Sequence, residues 1–293
     1  MTAAGYSLRM HYYHSRDPRM TVLGAVRGVF RLVHFVLAFL AAAISTVALY
    51  ALLPDRLRSR WGRSIRMAAG RRLTAAAGVR VRRTGTRPAT AAMVVANHLS
   101  WLDSFLFMGE LGPRFVASST WGAIPLLRIA LRANGVIFIN RHRLRDSHAV
   151  GRALARRVER GDQMMVFPEA DTSRGAAVLA FRPALLQPAA TMRLPVAWAA
   201  LRYRTPPGWP PAGVVVSWAD WTPLLLHIYR AFHPPWIEAQ IVYGREPVTG
   251  SDRKALAAEL YRAVDRAMVP QDQLAPDELA RIHVPPKQPL KPF

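Results

Sequence analysis

The sequence predicts an α/β protein whose mostly parallel sheet is flanked by helices and preceded by an N-terminal hydrophobic, membrane-anchoring helical segment. After about residue 79, short apolar runs of strand length alternate with amphipathic helical patterns, which is typical of a layered α/β domain. Before that point lies a long stretch without charged residues. We therefore divide the chain into a polar tail (1–20), a membrane-anchoring helical segment with a basic flank (21–75), a globular domain (76–270) and a Pro-rich tail (271–293).

The anchoring prediction rests on residues 35–53, which contain no charged side chain. Nineteen residues of helix span about 28 Å, close to the hydrocarbon thickness of a bilayer. Arginines flank both ends, and their excess after the run favours a cytoplasmic C-terminal side, which places the globular domain on the cytoplasmic side of the cell inner membrane. A helical hairpin dipping into one leaflet, a buried core helix and a secretory signal peptide are the alternatives.

Seven apolar runs predict strands in the globular domain. They lie at residues 93–96, 115–117, 136–139, 164–167, 194–201, 214–218 and 237–243. Two amphipathic patterns predict helices at 145–160 and 252–268. Asp146 or Ser147 could cap the start of the first helix, and Gly161 is expected at its end.

Composition limits the classes of function. The net charge is +22, from 40 Lys and Arg against 18 Asp and Glu, which favours an anionic partner such as a membrane, a phosphorylated substrate or nucleic acid. The absence of cysteine excludes disulfides, thiolate catalysis and Cys-ligated metals. His11 and His14 have the spacing of metal ligands on a helix, but no third ligand is nearby, so no metal site is predicted.

The segment that indicates chemistry is residues 97–103, which read Asn-His-Leu-Ser-Trp-Leu-Asp directly after the first predicted strand. Loops at the carboxyl ends of parallel strands commonly carry functional sites. On one continuous helix, His98 and Asp103 would lie about 140° apart. They can meet if Ser100 caps the following helix, which leaves His98 in the loop before it. Asp103 would then fix the imidazole tautomer and stabilise the imidazolium that forms on proton uptake.

Spacing alone leaves two other interpretations open. Ser100 and Asp103 are also spaced as an N-terminal capping box, in which the carboxylate faces the helix dipole. His98 by itself could be a histidine with its hydrogen bonds satisfied in a core or loop.

The pattern Asn97-His98-x4-Asp103 resembles the His-x4-Asp motif of the glycerolipid acyltransferases, the lysophosphatidic acid acyltransferase family. Three further segments resemble the later family blocks, in the family's order. They are Gly-Val-Ile-Phe-Ile-Asn-Arg at 135–141, Val-Phe-Pro-Glu at 166–169 followed by Thr-Ser at 172–173, and Leu-Pro-Val at 194–196 followed by Leu-Arg-Tyr at 201–203. The resemblance covers roughly residues 20–270.

This resemblance implies a membrane-bound enzyme of lipid biosynthesis. It would move a fatty acyl chain from acyl-CoA or acyl carrier protein to a hydroxyl of a lysophospholipid, most often 1-acylglycerol-3-phosphate, with no metal and no other cofactor. His98 would be the general base, oriented by Asp103, and Arg141 would contact the acceptor phosphate. The remaining expected substrate-binding residues are Asn97, Ser100, Glu169, Thr172 and Ser173. The implied partners are membrane lipids, the lysolipid and the acyl donor; no nucleic acid is expected.

Several residues depart from the family pattern. Ala170 and Asp171 stand where Gly and Thr are usual, Thr172 where many members carry Arg, and Ser118 and Thr120 where many carry Lys and Glu. These departures concern the acceptor more than the transfer chemistry, so a lyso-aminolipid such as a lyso-ornithine lipid is the alternative acceptor. A non-catalytic membrane-binding protein on the same fold is the alternative outside enzymes. For Arg141 the alternative is a solvated charge, and for Glu169 a helix cap.

Overall fold

The computed structural model describes residues 18–119, 122, 125–139, 144–220 and 222–273. Several features of the sequence lie outside these residues. They are His11, His14, Thr120, Arg141 and the Pro-rich tail beyond residue 273.

Helices and strands alternate along the described chain, as the sequence pattern predicts. The helices are α1 (Pro18–Leu52), α2 (Asp55–Ala76), α3 (Leu102–Leu111), α4 (Pro125–Ala133), α5 (Leu144–Glu159), α6 (Gln187–Thr191), α7 (Ala212–Val215), α8 (Leu224–Ala231) and α9 (Arg253–Ala267). The strands are β1 (Val79–Thr84), β2 (Met93–Ala96), β3 (Arg114–Ser118), β4 (Ile137–Ile139), β5 (Met164–Val166), β6 (Val196–Arg204) and β7 (Ile237–Tyr243). A short 3₁₀ helix, Pro183–Leu186, precedes α6.

These strands form one sheet in the order β1-β7-β6-β2-β5-β3-β4. All neighbours are parallel except β6 and β7, which run antiparallel. Strand β2 is central, between β5 and β6, and all four of its residues are buried. The loop that begins at Asn97 therefore leaves the sheet from the middle of its carboxyl edge. The predicted fold class, α/β with a mostly parallel sheet, is confirmed.

Helices cover both faces of the sheet. Successive side chains of a strand point to opposite faces, so the apolar strands need a helical layer on each side. Val94 packs with residues of α2, α3, α7 and α8 in one apolar cluster. Its neighbour Val95 packs with residues of α5, α6 and α9 in the other.

Most strand predictions agree with the structure, and one is wrong. Residues 93–96 and 237–243 match β2 and β7, and four other runs overlap β3, β4, β5 and β6. Residues 214–218 do not form a strand, because the chain makes the short helix α7 after Pro211 and then an irregular segment. A short buried apolar run suits a helix as well as a strand, and periodicity cannot separate the two. Strand β1 was not predicted.

The helix boundaries also test the capping predictions. Helix α5 begins at Leu144, so Asp146 and Ser147 lie inside it and do not precede it. Gly161 follows its end as predicted, with a φ of +79° that favours glycine. Asp252 caps α9 by accepting hydrogen bonds from the backbone of Lys254 and Ala255.

Helix α1 contains a segment, Val22–Leu49, that is long and apolar enough to cross a membrane, with a mean hydropathy of 2.3. One stripe of α1 packs on the domain, where Phe35 contacts the rings of Trp101 and Phe105 edge-on. The rest of its surface is exposed and apolar along most of the helix. Its large exposed side chains include Val22, Val26, Phe30, Val33, Leu37 and Ile44.

Candidate active site

His98 and Asp103 meet at the carboxyl edge of the sheet. The chain turns after β2 and enters α3 at Leu102, so His98 lies in the loop and Asp103 in the first helical turn. His98 Nδ1 lies 2.8 Å from Asp103 Oδ2. The Asp103 side chain is fully buried, whereas the His98 side chain keeps 14% of its surface exposed. The turn required by the five-residue spacing is therefore present.

Asp103 accepts hydrogen bonds from more than the histidine. Its Oδ2 also accepts from the backbone N–H of Leu99 (2.7 Å) and of Ser100 (3.0 Å). Its Oδ1 accepts from the Tyr203 hydroxyl at 2.8 Å. An ionised carboxylate only accepts, and these donors offset the cost of burying its charge. The Nδ1 atom of His98 must then carry the proton it donates, which leaves Nε2 as the basic atom of the neutral ring.

The capping-box interpretation of this segment is realised in part, because the Asp103 carboxylate accepts from the backbone N–H of Ser100, as the reciprocal half of such a box does. Helix α3 has Trp101 at its N-cap, with no side-chain capping hydrogen bond. Ser100 Oγ lies 3.4 Å from the backbone N of Leu102, and the N–H of Asp103 donates to the Ser100 carbonyl. Ser100 is therefore not the N-cap residue of α3, contrary to the prediction, although its hydroxyl accepts a hydrogen bond from the first residue of the helix, Leu102. The Asp103 carboxylate is turned back onto the loop, where it holds the histidine and two backbone amides.

Phe167, at the end of β5, holds the plane of the imidazole. Its ring stacks on that of His98 with centroids 4.2 Å apart and an interplanar angle of 9°. Phe115 stacks behind it, with centroids 6.4 Å apart. The neighbouring strands β3 and β5 thus supply a wall that restricts the ring of His98.

Glu169 lies beside the same loop and is almost completely buried. Its Oε1 accepts a hydrogen bond from the backbone N–H of His98 at 2.9 Å. Burial above all, with a smaller contribution from the nearby carboxylates of Asp103 and Asp171, raises the pKa of this carboxyl to about 8 against the lowering effect of its backbone hydrogen bonds. Its Oε2 has no hydrogen-bond partner among the described residues. No helix begins here, so the capping alternative is excluded.

The other expected binding residues hold the loops through the backbone. Asn97 is buried, and its amide pairs with both the N–H and the carbonyl of Leu201 in β6, at 2.7 and 2.8 Å. The backbone N–H of Ser173 donates to the His98 carbonyl at 3.0 Å. Thr172 Oγ1 donates to the Trp218 carbonyl. The structure therefore brings every predicted site residue to one region except Arg141, which lies outside the described residues.

Sequence reasoning missed the role of Tyr203. This residue is fully buried, and its contact with Asp103 joins residues 100 positions apart in the chain. Burial and the adjacent Asp103 raise the pKa of its hydroxyl well above the usual value, so it stays a donor. The available signal was the Leu-Arg-Tyr sequence at the end of an apolar run that becomes β6, the neighbour of β2.

Ala170 and Asp171, two of the departures from the family pattern, lie in the described part of the chain. Ala170 has a φ of +58°, a left-handed conformation that glycine adopts without strain. Asp171 Oδ1 accepts from the backbone N–H of Thr172 at 2.9 Å. Nearby, Arg174 forms an ion pair with Asp220 at 3.4 Å.

Comparisons with known proteins agree with this geometry. A family model described as Acyltransferase matches residues 78–201, a range that contains His98, Asp103 and Glu169. The chain is 32% identical over 196 residues to a 1-acyl-sn-glycerol-3-phosphate acyltransferase of Neisseria gonorrhoeae, covering 67% of this chain and 76% of that protein. It is also 32% identical over 199 residues to a lyso-ornithine lipid O-acyltransferase of Pseudomonas aeruginosa, covering 67% and 75%.

The fold has a counterpart among solved structures. The crystal structure of the 1-acyl-sn-glycerophosphate acyltransferase PlsC from Thermotoga maritima superposes with a TM-score of 0.55 at 20% identity, covering 83% of this chain and all of that one. Fold, motif order and sequence identity lead to one assignment: the chain belongs to the glycerolipid acyltransferase family and is an acyltransferase.

Proposed function

We propose that this acyltransferase moves a fatty acyl chain from acyl-CoA or acyl carrier protein to a hydroxyl of a lysophospholipid, with 1-acylglycerol-3-phosphate as the acceptor, in phospholipid biosynthesis. The observation that carries the proposal is the 2.8 Å contact between His98 Nδ1 and the buried Asp103 carboxylate. Because that contact keeps the ring proton on Nδ1, Nε2 of His98 is unprotonated and can accept a proton from a substrate hydroxyl.

The proposed chemistry needs no protein nucleophile. Nε2 of His98 takes the proton of the acceptor hydroxyl while the hydroxyl oxygen attacks the thioester carbonyl carbon. The resulting oxyanion collapses, the C–S bond breaks, and the thiol leaves with the proton from the imidazolium. Asp103 stays ionised and stabilises the imidazolium. General base catalysis of this kind contributes about 10²- to 10⁴-fold in rate.

Glu169 and Arg141 are proposed to bind the acceptor. Glu169 Oε2 has no partner among the described residues, and a protonated carboxyl there would donate a hydrogen bond to an acceptor oxygen. Arg141 follows β4 in the chain, and its guanidinium would bind the acceptor phosphate in a bidentate manner. Asn97, Ser100, Thr172 and Ser173 hold the surrounding loops.

The proposed cellular site is the inner membrane, with the catalytic domain on the cytoplasmic side. The exposed apolar surface of α1 supports membrane attachment, because a lysolipid acceptor with one long acyl chain resides in the bilayer. The exposed arginines Arg71 and Arg72 of α2 would then face anionic headgroups, where each contributes about 1 kcal/mol.

A lyso-ornithine lipid is the second candidate acceptor. Two observations favour it. The first is that the lyso-ornithine lipid O-acyltransferase of Pseudomonas aeruginosa has the same identity to this chain, 32%, as the 1-acyl-sn-glycerol-3-phosphate acyltransferase of Neisseria gonorrhoeae. In addition, Ser118, Ala170 and Asp171 replace residues that are usual in the family.

A panel of acceptors tests the proposal. The purified full chain in neutral vesicles would receive lysophosphatidic acid or lyso-ornithine lipid, each with acyl-CoA or acyl carrier protein as donor, and products would be identified by mass spectrometry. We expect the diacyl phosphate product to form at least tenfold faster than the ornithine lipid. The reverse preference would show that the acceptor is the lyso-ornithine lipid, with the same acyl-transfer chemistry. Absence of product from every pair would refute acyl transfer to these lysolipids.

A further inference from the structure

A second concave region lies apart from the active site, where β1 and β7 begin and β6 ends. It is an open cavity of about 600 Å³. Its lining includes Arg80, Arg82, Arg204, Trp209, Trp236 and Glu238. Within the described parts of the chain, the lining contains none of the proposed catalytic or acceptor-binding residues.

Positive charge exceeds negative charge around this cavity. Glu238 pairs with Arg82 at 2.7 Å and lies 4.0 Å from Arg204, so one carboxylate serves two guanidinium groups. Asp272 is the other acidic residue of the described lining. Arg80 takes part in none of the ion pairs among the described residues. The side chains of Arg82 and Arg204 are 74% and 50% exposed. Their remaining N–H donors are therefore accessible to an anion from solvent.

Two indole rings hold these charges in place and connect the cavity to α1. The Arg80 guanidinium lies over the Trp236 ring, 5.6 Å from its centroid, which restrains the arginine by a cation–π contact. Trp209 packs against α1, so closely that a Cβ added at Gly24 would lie 2.9 Å from its ring. Arg27 of α1 lies 6.0 Å from the same ring centroid.

The cavity lies beside α1, the helix whose exposed apolar surface is the proposed membrane contact. Tryptophan and arginine side chains that border an apolar helix are typical of the headgroup layer of a membrane. The cavity therefore combines accessible guanidinium groups, flat aromatic walls and a place next to the proposed membrane contact.

We propose that this cavity binds the phosphate group of an anionic ligand. Guanidinium groups match phosphate oxygens in a bidentate manner, and the indoles supply flat apolar walls for the rest of the ligand. Two sources can supply such a phosphate: the headgroup of a membrane phospholipid, which the position beside α1 favours, or the nucleotide end of coenzyme A. The proposal does not depend on the identity of the acceptor or on the roles of His98 and Asp103.

Fluorine NMR of the 5-fluorotryptophan-labelled full chain in neutral detergent micelles tests this proposal. The variants Trp209→Phe and Trp236→Phe assign the two resonances of the cavity. The titrants are short-chain phosphatidylglycerol, coenzyme A and, as a zwitterionic comparison, short-chain phosphatidylcholine. We expect saturable shifts of both resonances with phosphatidylglycerol, and at least tenfold weaker binding by the double variant Arg80→Gln/Arg204→Gln. Arg245→Gln, an exposed arginine just beyond the other end of β7, is the matched control and should bind as the wild type does.

The titrants also separate the two sources. Saturation by phosphatidylglycerol alone identifies a lipid headgroup site, and saturation by coenzyme A alone identifies a donor site. The absence of saturable shifts with either anion would overturn the proposal. So would equal shifts with phosphatidylcholine, or unweakened binding by the double variant at an unchanged thermal midpoint.

Discussion

At the scale of residues, the orientation of Asp103 depends on Tyr203. The hydroxyl of Tyr203 is the donor to Oδ1, whereas Oδ2 is shared by His98 and two backbone amides. Tyr203→Phe removes one hydrogen bond to a buried charge, an interaction typically worth about 1.5–3 kcal/mol. We expect kcat to fall about tenfold with the acceptor KM little changed, together with a shifted pH profile of kcat.

Steady-state transfer assays measure this effect, and Tyr261→Phe on α9 provides the matched control outside the site. If Tyr203→Phe lowered the thermal midpoint but left kcat and its pH profile unchanged, Tyr203 would be a structural residue only.

Ala170 stores backbone strain at a position where the family usually has glycine. Its φ of +58° costs an L-residue about 1–2 kcal/mol, and glycine gives back part of this through its greater freedom in the unfolded chain. We expect Ala170→Gly to raise the free energy of unfolding by about 0.5–1 kcal/mol. Ala258→Gly, at an exposed position inside α9, should instead lower it by about 1 kcal/mol. Thermal unfolding in detergent compares the two, and a lower stability of Ala170→Gly would contradict the expectation.

Glu169 makes stability depend on pH. Its pKa is raised from 4.5 to about 8 in the folded state, so between these values the unfolded chain releases a proton that the folded chain retains. The stability contributed by the neutral carboxyl is therefore fully present below pH 4.5 and declines until about pH 8. Glu169→Gln, which cannot ionise, should gain stability relative to the wild type across this window, on the order of a few kcal/mol.

Thermal midpoints of the two proteins between pH 4 and pH 9 check this expectation. A difference that stays constant over the window would show that the Glu169 carboxyl is ionised throughout.

At the scale of elements, α1 is attached to the domain by arginines as well as by aromatic packing. The guanidinium of Arg31 donates to the carbonyls of Phe232, Pro234 and Pro235, just after α8, at 3.2, 2.6 and 2.7 Å. Arg27 donates to the His233 carbonyl at 2.7 Å. These bonds satisfy backbone carbonyls of the segment that follows α8, outside any regular element.

Arg31→Gln should therefore loosen the N-terminal half of α1. We expect hydrogen exchange there to accelerate several-fold and the thermal midpoint to fall by several degrees. Arg128→Gln, at an exposed position on α4, is the matched control. Unchanged exchange in α1 would show that the apolar contacts around Phe35 suffice to hold it.

At the scale of the whole molecule, local patterns predicted the sheet better than they predicted the site. The apolar runs that became β2 and β7 were located to the residue, because buried strands in α/β proteins are short and bounded by turns. The contacts that complete the site join distant parts of the chain, such as Tyr203 to Asp103 and Glu169 to His98. Strand order decides such contacts, and no local pattern encodes it.

The dependence on contacts between distant parts of the chain also explains why the roles of individual site residues were hard to predict. Asn97, Ser100, Thr172 and Ser173 were expected to bind substrate, yet the structure engages each of them in hydrogen bonds that hold the loops. Their part in substrate binding stays a prediction, as does that of Arg141.

Substitution of His98 tests whether this residue acts as the general base. Acyl transfer to lysophosphatidic acid would be measured for wild type, His98→Ala and the control His34→Ala, an exposed histidine on α1. We expect the rate of His98→Ala to fall by about 10²- to 10⁴-fold, with membrane binding and the thermal midpoint unchanged, and the control to remain active. Transfer by His98→Ala at a rate near that of the wild type would show that His98 is not the general base.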